Sequence, residues 1–471
     1  MKKFKYGYAV LTTAALLTFG SVFTSFAGEW NNDDGQWVYV ENNGETAKDT
    51  WKEIDGQSYY LGSDGVMLAN SLINVNESYY YVRSNGAMVK NEWRFIQNPA
   101  WQGDDLVDEG SWYYFGDNGR AYVSKDSKAT VYTIGGKKYI FDSYGRMMTG
   151  WITESGERVE EEENWQEGLY YADTEGDGDI VTSAWVYASV VDDDNEDDNN
   201  PTYHFYFASN GKKTTNVEDK NIDGKKYTFD DRGVAATKWK LDSDGESWKY
   251  YGTEDDECAL ATGWFQAVPD EAMDSSGNSD GSTYWYYGGS TGKIAEGCFK
   301  SIDGKTYAFK ANGEMLTGLK VITVDENDSK KITSYTSVDY LSNIPSDDGT
   351  GLSQVYLLDS SNGAVQTGTK TVEIDGTNYT FSFKSNGSPK GAGLTGLDDG
   401  YIYDHGRRLT AEEDTKVQIV SWDDKDYLVN ENGVIQKNKK NTKDADGYYY
   451  CTDKSGVVIH GPLSDKCTEK H

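Results

Sequence analysis

The sequence predicts an all-β fold, a β-hairpin solenoid of about 14–17 irregular repeats of roughly 20–50 residues each. Three observations predict it. A motif built on Ile-Asp-Gly-x-x-Tyr returns at Ile54, Ile222, Ile302 and Ile374, and with Gly135 in place of Asp at Ile134. A second glycine-centred turn follows each copy, at Gly65, Gly145, Gly233, Gly313 and Gly387. Aromatic residues make up 14% of the 471-residue chain while prolines number only 6, a composition suited to short pleated strands.

The chain starts with a basic segment, Met1 to Lys5, an uncharged apolar run from Tyr8 to Phe23, and Ser25-Phe26-Ala27 as a small-x-small cleavage site. Residues 1–27 therefore read as a secretory signal peptide, because the apolar run is short of the about 20 residues that a membrane span needs. Its loss removes three lysines and no acid, which takes the net charge from −33 to −36. A polyanion of this kind excludes nucleic acid as a partner, since such binders carry a basic footprint. It disfavours anionic lipid too, and no membrane insertion is expected after cleavage. The mature chain is expected to divide into repeats over 28–440 and a C-terminal repeat, cap and tail over 441–471.

One unit, from Trp51 to Leu68, shows the design. Asp55-Gly56 and Asp64-Gly65 flank the strand-forming Tyr59-Tyr60-Leu61. Asp-Gly and Asn-Gly pairs between short aromatic runs signal hairpins with type I′ turns, which require positive φ at both central residues. A single hairpin is marginal in water, so units must share their aromatic faces with neighbours. Longer units carry polar inserts, Asn98 to Gly110, Glu154 to Glu167, Asp192 to Asn200, Pro269 to Gly281 and Asp325 to Gly351, expected to be surface loops, the third of them mobile. Cys258, Cys298, Cys451 and Cys467 can pair in an oxidising compartment, with Cys451–Cys467 the favoured bridge to the tail.

Thr149-Gly150-Trp151, then a Trp/Tyr-Tyr-Tyr-Phe/Leu strand such as Trp112-Tyr113-Tyr114-Phe115, then Asn-Gly-x-Met as at Asn312-Gly313-Glu314-Met315, resembles the cell-wall-binding repeats of choline-binding proteins. The pattern is also similar to glucan-binding repeats of secreted glucosyltransferases and to receptor-binding repeats of bacterial toxins. The resemblance covers the chain from about Trp30 to about His460 and implies a ligand pocket between successive hairpins. The leading tryptophans Trp51, Trp93, Trp151, Trp185, Trp239 and Trp264 match its first wall. Trp37, Trp112, Trp248 and Trp285 match the second, with Tyr59, Tyr79 and Tyr170 as weaker equivalents. Leu72, Cys298, Leu319 and Leu397 replace the leading tryptophan elsewhere. Tyr60, Tyr114, Phe141, Phe229 and Phe309, in mid-strand, are expected in the core.

The resemblance implies a secreted, wall- or surface-localised binder of teichoic-acid choline or a glycan polymer. A quaternary ammonium has no hydrogen-bond donor and is held by the negative faces of aromatic rings. Alternatives are a host-glycan adhesin, a substrate-delivery subunit, or a structural spacer with its aromatics buried. No cofactor is expected and no catalytic motif stands out, so the chain is read as not an enzyme. Asp173, Glu175, Asp177 and Asp179 are spaced like the first ligands of a calcium loop, but the twelfth position is Ala184, and an acidic turn is the better reading.

Overall fold

The computed structural model describes residues 28–97, 110–193, 195, 200–253, 256–273, 281–345 and 350–467. The signal-peptide reading lies outside these residues, as does nearly all of the insert from Asn98 to Gly110. The described residues form 36 strands and three short 3-10 turns, with no α-helix among them. Every strand pairing is antiparallel, and most sheets are single hairpins, such as Thr50–Ile54 with Gln57–Leu61 and Glu92–Ile96 with Ser111–Phe115. This is the all-β hairpin-repeat architecture read from the sequence. Among the described residues, no helix is long and apolar enough to cross a membrane.

The chain forms two compact units. One comprises the residues up to Thr215 together with Arg232–Val234; the other comprises Asn216–Asp231 and everything from Ala235. Both repeat one construction. The first turn of a hairpin is type I′: Asp55 and Gly56 have φ 50° and 75°, and Asp303 and Gly304 have φ 48° and 77°. The second turn is different from expectation. In Asn85-Gly86 only the glycine has positive φ, at 80°. The Gly86 N–H donates to the Arg83 carbonyl and the Arg83 N–H to the Ala87 carbonyl, at 2.8 and 2.9 Å. The Asn85 side chain accepts the Ala87 N–H at 3.2 Å. This is a three-residue turn ending in a left-handed glycine, in which the asparagine acts through its side chain rather than through positive φ.

After that turn, a short return segment stitches hairpins together. The Met67 N–H donates back to the Trp37 carbonyl of the preceding hairpin at 2.7 Å, and the Leu68 N–H to Tyr60 of its own hairpin at 2.9 Å. Met88 and Val89 repeat this onto Ser58 and Tyr81, and in the second unit Met315 and Leu316 repeat it onto Trp285 and Ala308. The turn glycine then seats against the return residue of the unit before. A Cβ on Gly86 would stand 2.4 Å from the Met67 sulfur.

The core is a series of small clusters, each drawing on successive hairpins. Tyr79, Val89, Ile96, Tyr113 and Phe115 form one; Val355, Phe381 and Phe383 with Leu319 and Val321 form another. Each fully buried ring contributes about 1.5–3 kcal/mol. Phe141, Phe229 and Phe309 are buried as expected. Tyr60 and Tyr114 are only half-buried and do not join that core. They occupy the opposite face from Tyr113 and Phe115, because side chains alternate along a strand.

Two inserts are more structured than surface loops. The segment after Glu154 forms a 3-10 turn over Glu162–Glu167 and buries Trp165, which is 1% exposed with its indole N–H on the Val191 carbonyl at 2.9 Å. The segment from Asp325 supplies the strand Ile332–Ser337, which pairs along Gly318–Val324. Asp192, at the head of the insert read as mobile, is buried and accepts bonds from the Tyr203 hydroxyl at 2.7 Å and Arg232 at 2.8 Å. Cys451 and Cys467 form the bridge expected of them, joining the strand Tyr449–Thr452 to the tail, while Cys258, which is buried, and Cys298 remain thiols.

Gly86→Ala, strained in φ and crowded by Met67, is expected to lower stability by about 1–2 kcal/mol or more. Gly56→Asn, with open space and a tolerated φ, should stay within roughly 0.5 kcal/mol. Urea midpoints of the two variants check the contrast. Cys467→Ser removes a cross-link spanning 16 residues, and should cost about 3 kcal/mol in the C-terminal sheet; hydrogen exchange over Tyr449–Leu463 reads the loss.

Candidate functional site

The leading tryptophans sit in one recurring environment. Strand register sets each opposite a tyrosine of its own hairpin: Trp51 with Tyr60, Trp93 with Tyr114, Trp151 with Tyr171, Trp185 with Tyr206, Trp239 with Tyr250, Trp264 with Tyr287. The ring centroids of these pairs lie 5.0, 5.2, 5.0, 5.3, 4.9 and 5.2 Å apart, mostly edge to face. The following hairpin supplies the next wall from its core-facing position. Tyr80 lies 5.0 Å from Trp51, Tyr139 4.9 Å from Trp93, Phe205 5.0 Å from Trp151, Tyr286 4.7 Å from Trp239 and Tyr307 4.8 Å from Trp264.

Each leading tryptophan is thus half-buried, resting on the core with part of its surface in solvent. The second-wall tryptophans lie further along the same face. Trp285 sits 6.4 Å from Trp264 at 84° and is 41% exposed, so this recess has two indoles with Tyr287 and Tyr307 around them. Trp112 is diagonal to Trp93, opposite Phe95, and both Trp112 and Phe95 are exposed. Trp37 meets Trp30 edge-on at 6.4 Å. Trp248 packs half-buried on the cluster around Tyr286 and Ile294, beside Trp239. Trp239 also meets Phe265 at 5.9 Å, and its indole N–H donates to the Val268 carbonyl at 2.6 Å.

Residues 49–93 match the family model of a choline-binding repeat. Residues 107–121 match that of a cell wall binding repeat. Among solved structures the chain is similar to the modular autolysin LytC of Streptococcus pneumoniae, at 22% identity and TM-score 0.36, over 65% of this chain and 57% of that one. The chain therefore spans little more than half the length of that autolysin. It is also similar to CbpJ of the same organism, at 19% identity and TM-score 0.29 over 81% and 100% of the two chains. Choline binding protein F, solved in complex with ipratropium, aligns at 20% identity and TM-score 0.26 over 82% and 100%. A search of curated proteins finds no match.

Two of the weaker wall candidates need correction. Tyr79, 6% exposed, belongs to the core with Tyr113 and Phe115. Tyr170 is 6% exposed and belongs to the core with Ile140 and Ala172; its neighbour Tyr171 faces Trp151. A one-residue shift along a strand moves a side chain to the other face, and the position ahead of Tyr-Tyr, aromatic at Trp112 and Trp285, is Leu169 in this unit. The calcium-like loop is an acidic turn. Lys137 takes Asp177 and Asp179 at 2.7 and 3.0 Å, while Asp173 caps the Glu175 N–H at 2.9 Å. Among the described residues no group of three or more His, Cys, Asp or Glu side chains is placed to hold a metal.

Two features escaped the sequence reading. Beside Trp151 opens a cavity of about 480 Å³, lined also by Trp165, Tyr171, Arg158 and Glu160. Glu296, on the return segment that follows Gly292, has its carboxyl pushed up to about 7 by burial, against the opposing effect of a backbone hydrogen bond from Trp248. Its Oε1 has no hydrogen-bond partner.

A carboxyl whose pKa is raised in the fold contributes stability that is fully present below its unfolded value near 4.5 and is lost as pH rises through about 7. Glu296→Gln is therefore expected to gain stability over the native chain at pH 8 and to show no gain near pH 4. Thermal unfolding across that range checks the sign.

Proposed function

We propose that the chain is an exported, non-catalytic binder of wall polymer, which it holds through the aromatic recesses of its choline-binding repeats. The recess at Trp264 and Trp285 carries the reading: two indoles meet edge to face, the outer one exposed, over rings that belong to the core. Core packing alone gives no reason to leave an indole 41% exposed beside another. A quaternary ammonium fits such a place, because it offers charge without N–H donors and is attracted by ring faces. The net charge of −33 adds a long-range attraction for cationic groups.

Repetition supplies strength. Individually weak sites on one chain gain avidity when a polymer presents its groups at matching spacing. The chain would then be retained at the cell wall or surface by binding. Exposed Trp112 and Phe95 also favour a second ligand chemistry, the apolar C–H faces of sugar rings, within the same wall-binding role.

Equilibrium dialysis of the chain lacking residues 1–27 with choline, and with soluble glucan, tests the proposal. Trp264→Ala should weaken choline binding at its recess by about 2- to 30-fold, the loss of about 0.5–2 kcal/mol expected for one aromatic wall. Combined replacement of Trp51, Trp93 and Trp264 by alanine should abolish retention on isolated walls. Undiminished retention of the triple variant would overturn the aromatic-site reading in favour of a spacer.

A further inference from the structure

The recess at Trp151 differs from the others in holding one ammonium against three aromatic rings, whereas at the Trp264 recess Lys300 meets the single ring of Tyr287 at 5.7 Å. The Lys213 ammonium lies 5.2 Å from the centre of the Trp151 ring, 5.7 Å from that of Trp165 and 5.8 Å from that of Phe205. The side chain is 6% exposed, and Nζ donates to the Gln166 carbonyl at 3.1 Å. Three aromatic rings within about 6 Å of a desolvated ammonium are the arrangement by which proteins bind an external cation. Here the cation is the chain's own.

The position of Lys213 in the repeat explains how it gets there. It is the return residue of its hairpin, bridged to Phe207 as Met67 is to Leu61, Met88 to Val82 and Met315 to Phe309. Its N–H donates to the preceding hairpin at the Leu169 carbonyl, 2.7 Å away, as the Met67 N–H does to Trp37. A lysine therefore stands where several other units place a methionine. Trp165, brought in by the 3-10 insert, adds a wall that those units lack, and Arg232 lies 5.5 Å from the centre of the same ring. In the second unit Arg408 holds the equivalent step, with its guanidinium 3.8 Å from the centre of Tyr401.

We infer that Lys213 is a built-in occupant of the Trp151 recess, which closes this repeat to external quaternary ammonium ligands and confines choline-type binding to the other recesses. The inference rests on the reading of the leading-tryptophan recesses as cation sites. Removing the lysine while keeping the walls should turn a silent repeat into a binding one. Methionine is the conservative replacement, since it already serves at this step in four other units, at Met67, Met88, Met147 and Met315.

Two measurements on the native chain test this. In acylation with a small amine reagent, read by peptide mass spectrometry, Lys213 should stay unmodified while Lys212 reacts; equal labelling overturns the inference. In equilibrium dialysis, Lys213→Met should bind one more choline per chain than the native protein, and adding Trp151→Ala should return the count to the native value. If the native chain binds choline and Lys213→Met binds no more, the inference falls and the wall-binding role stands. If the native chain binds none, that role falls for choline; one choline taken up by Lys213→Met would still uphold the occupied recess, and with neither form binding, labelling of Lys213 decides the matter.

Discussion

The return segment after each second turn is the constraint on which the molecule depends. Its successive residues donate in opposite directions, one to the preceding hairpin and the next to its own, as at Met67 and Leu68. A two-stranded hairpin has two open edges and little core, and would not persist alone in water. The return segment satisfies part of one edge and fixes the distance to the previous hairpin at the same time. Side-chain packing then follows, with core-facing rings such as Tyr113 and Phe115 stacking in line.

The placement of the leading tryptophans is a consequence of that stitching. Trp51, Trp93, Trp151, Trp239 and Trp264 each lie across from a tyrosine of their own strand pair and against a core ring of the following hairpin. A tryptophan so placed can be neither a free surface residue nor a fully buried one. The distinction between an aromatic spacer and an aromatic binder therefore does not separate cleanly at these positions, because one ring covers the core with one part and meets solvent with another. What varies from unit to unit is the second ring, exposed at Trp285 and half-buried at Trp248 beside Trp239. Variation in that ring, rather than in the leading tryptophan, sets how accessible each recess is.

Much of this was legible in the sequence, because the signals are local. Ile-Asp-Gly at Ile54 and Ile302 announces a type I′ turn, and the turn forms. Opposition of Trp93 and Tyr114 follows from strand pairing once the turn is known. Failures came where a single residue or a distant contact decides. Reading Tyr170 instead of Tyr171 as the wall was a one-residue slip in a run of two tyrosines, to which periodicity is blind. Trp165 sits in an acidic stretch that has the composition of a loop, and only Phe205 and Tyr203, from a later hairpin, make it core. Lys213 is one of two adjacent lysines, and nothing local reveals that one of them turns inward to three rings.

The seat of each turn glycine on the return residue of the unit before has a consequence for descent. Gly86 on Met67 and Gly363 on Met315 are the same joint at two places in the chain. A joint that is identical on both sides lets whole units be duplicated or deleted in frame without leaving an unmatched surface, since a copied hairpin brings the glycine for its predecessor and the socket for its successor. Chain length can then change in whole-hairpin steps, while point substitutions such as a lysine for a methionine adjust units one at a time.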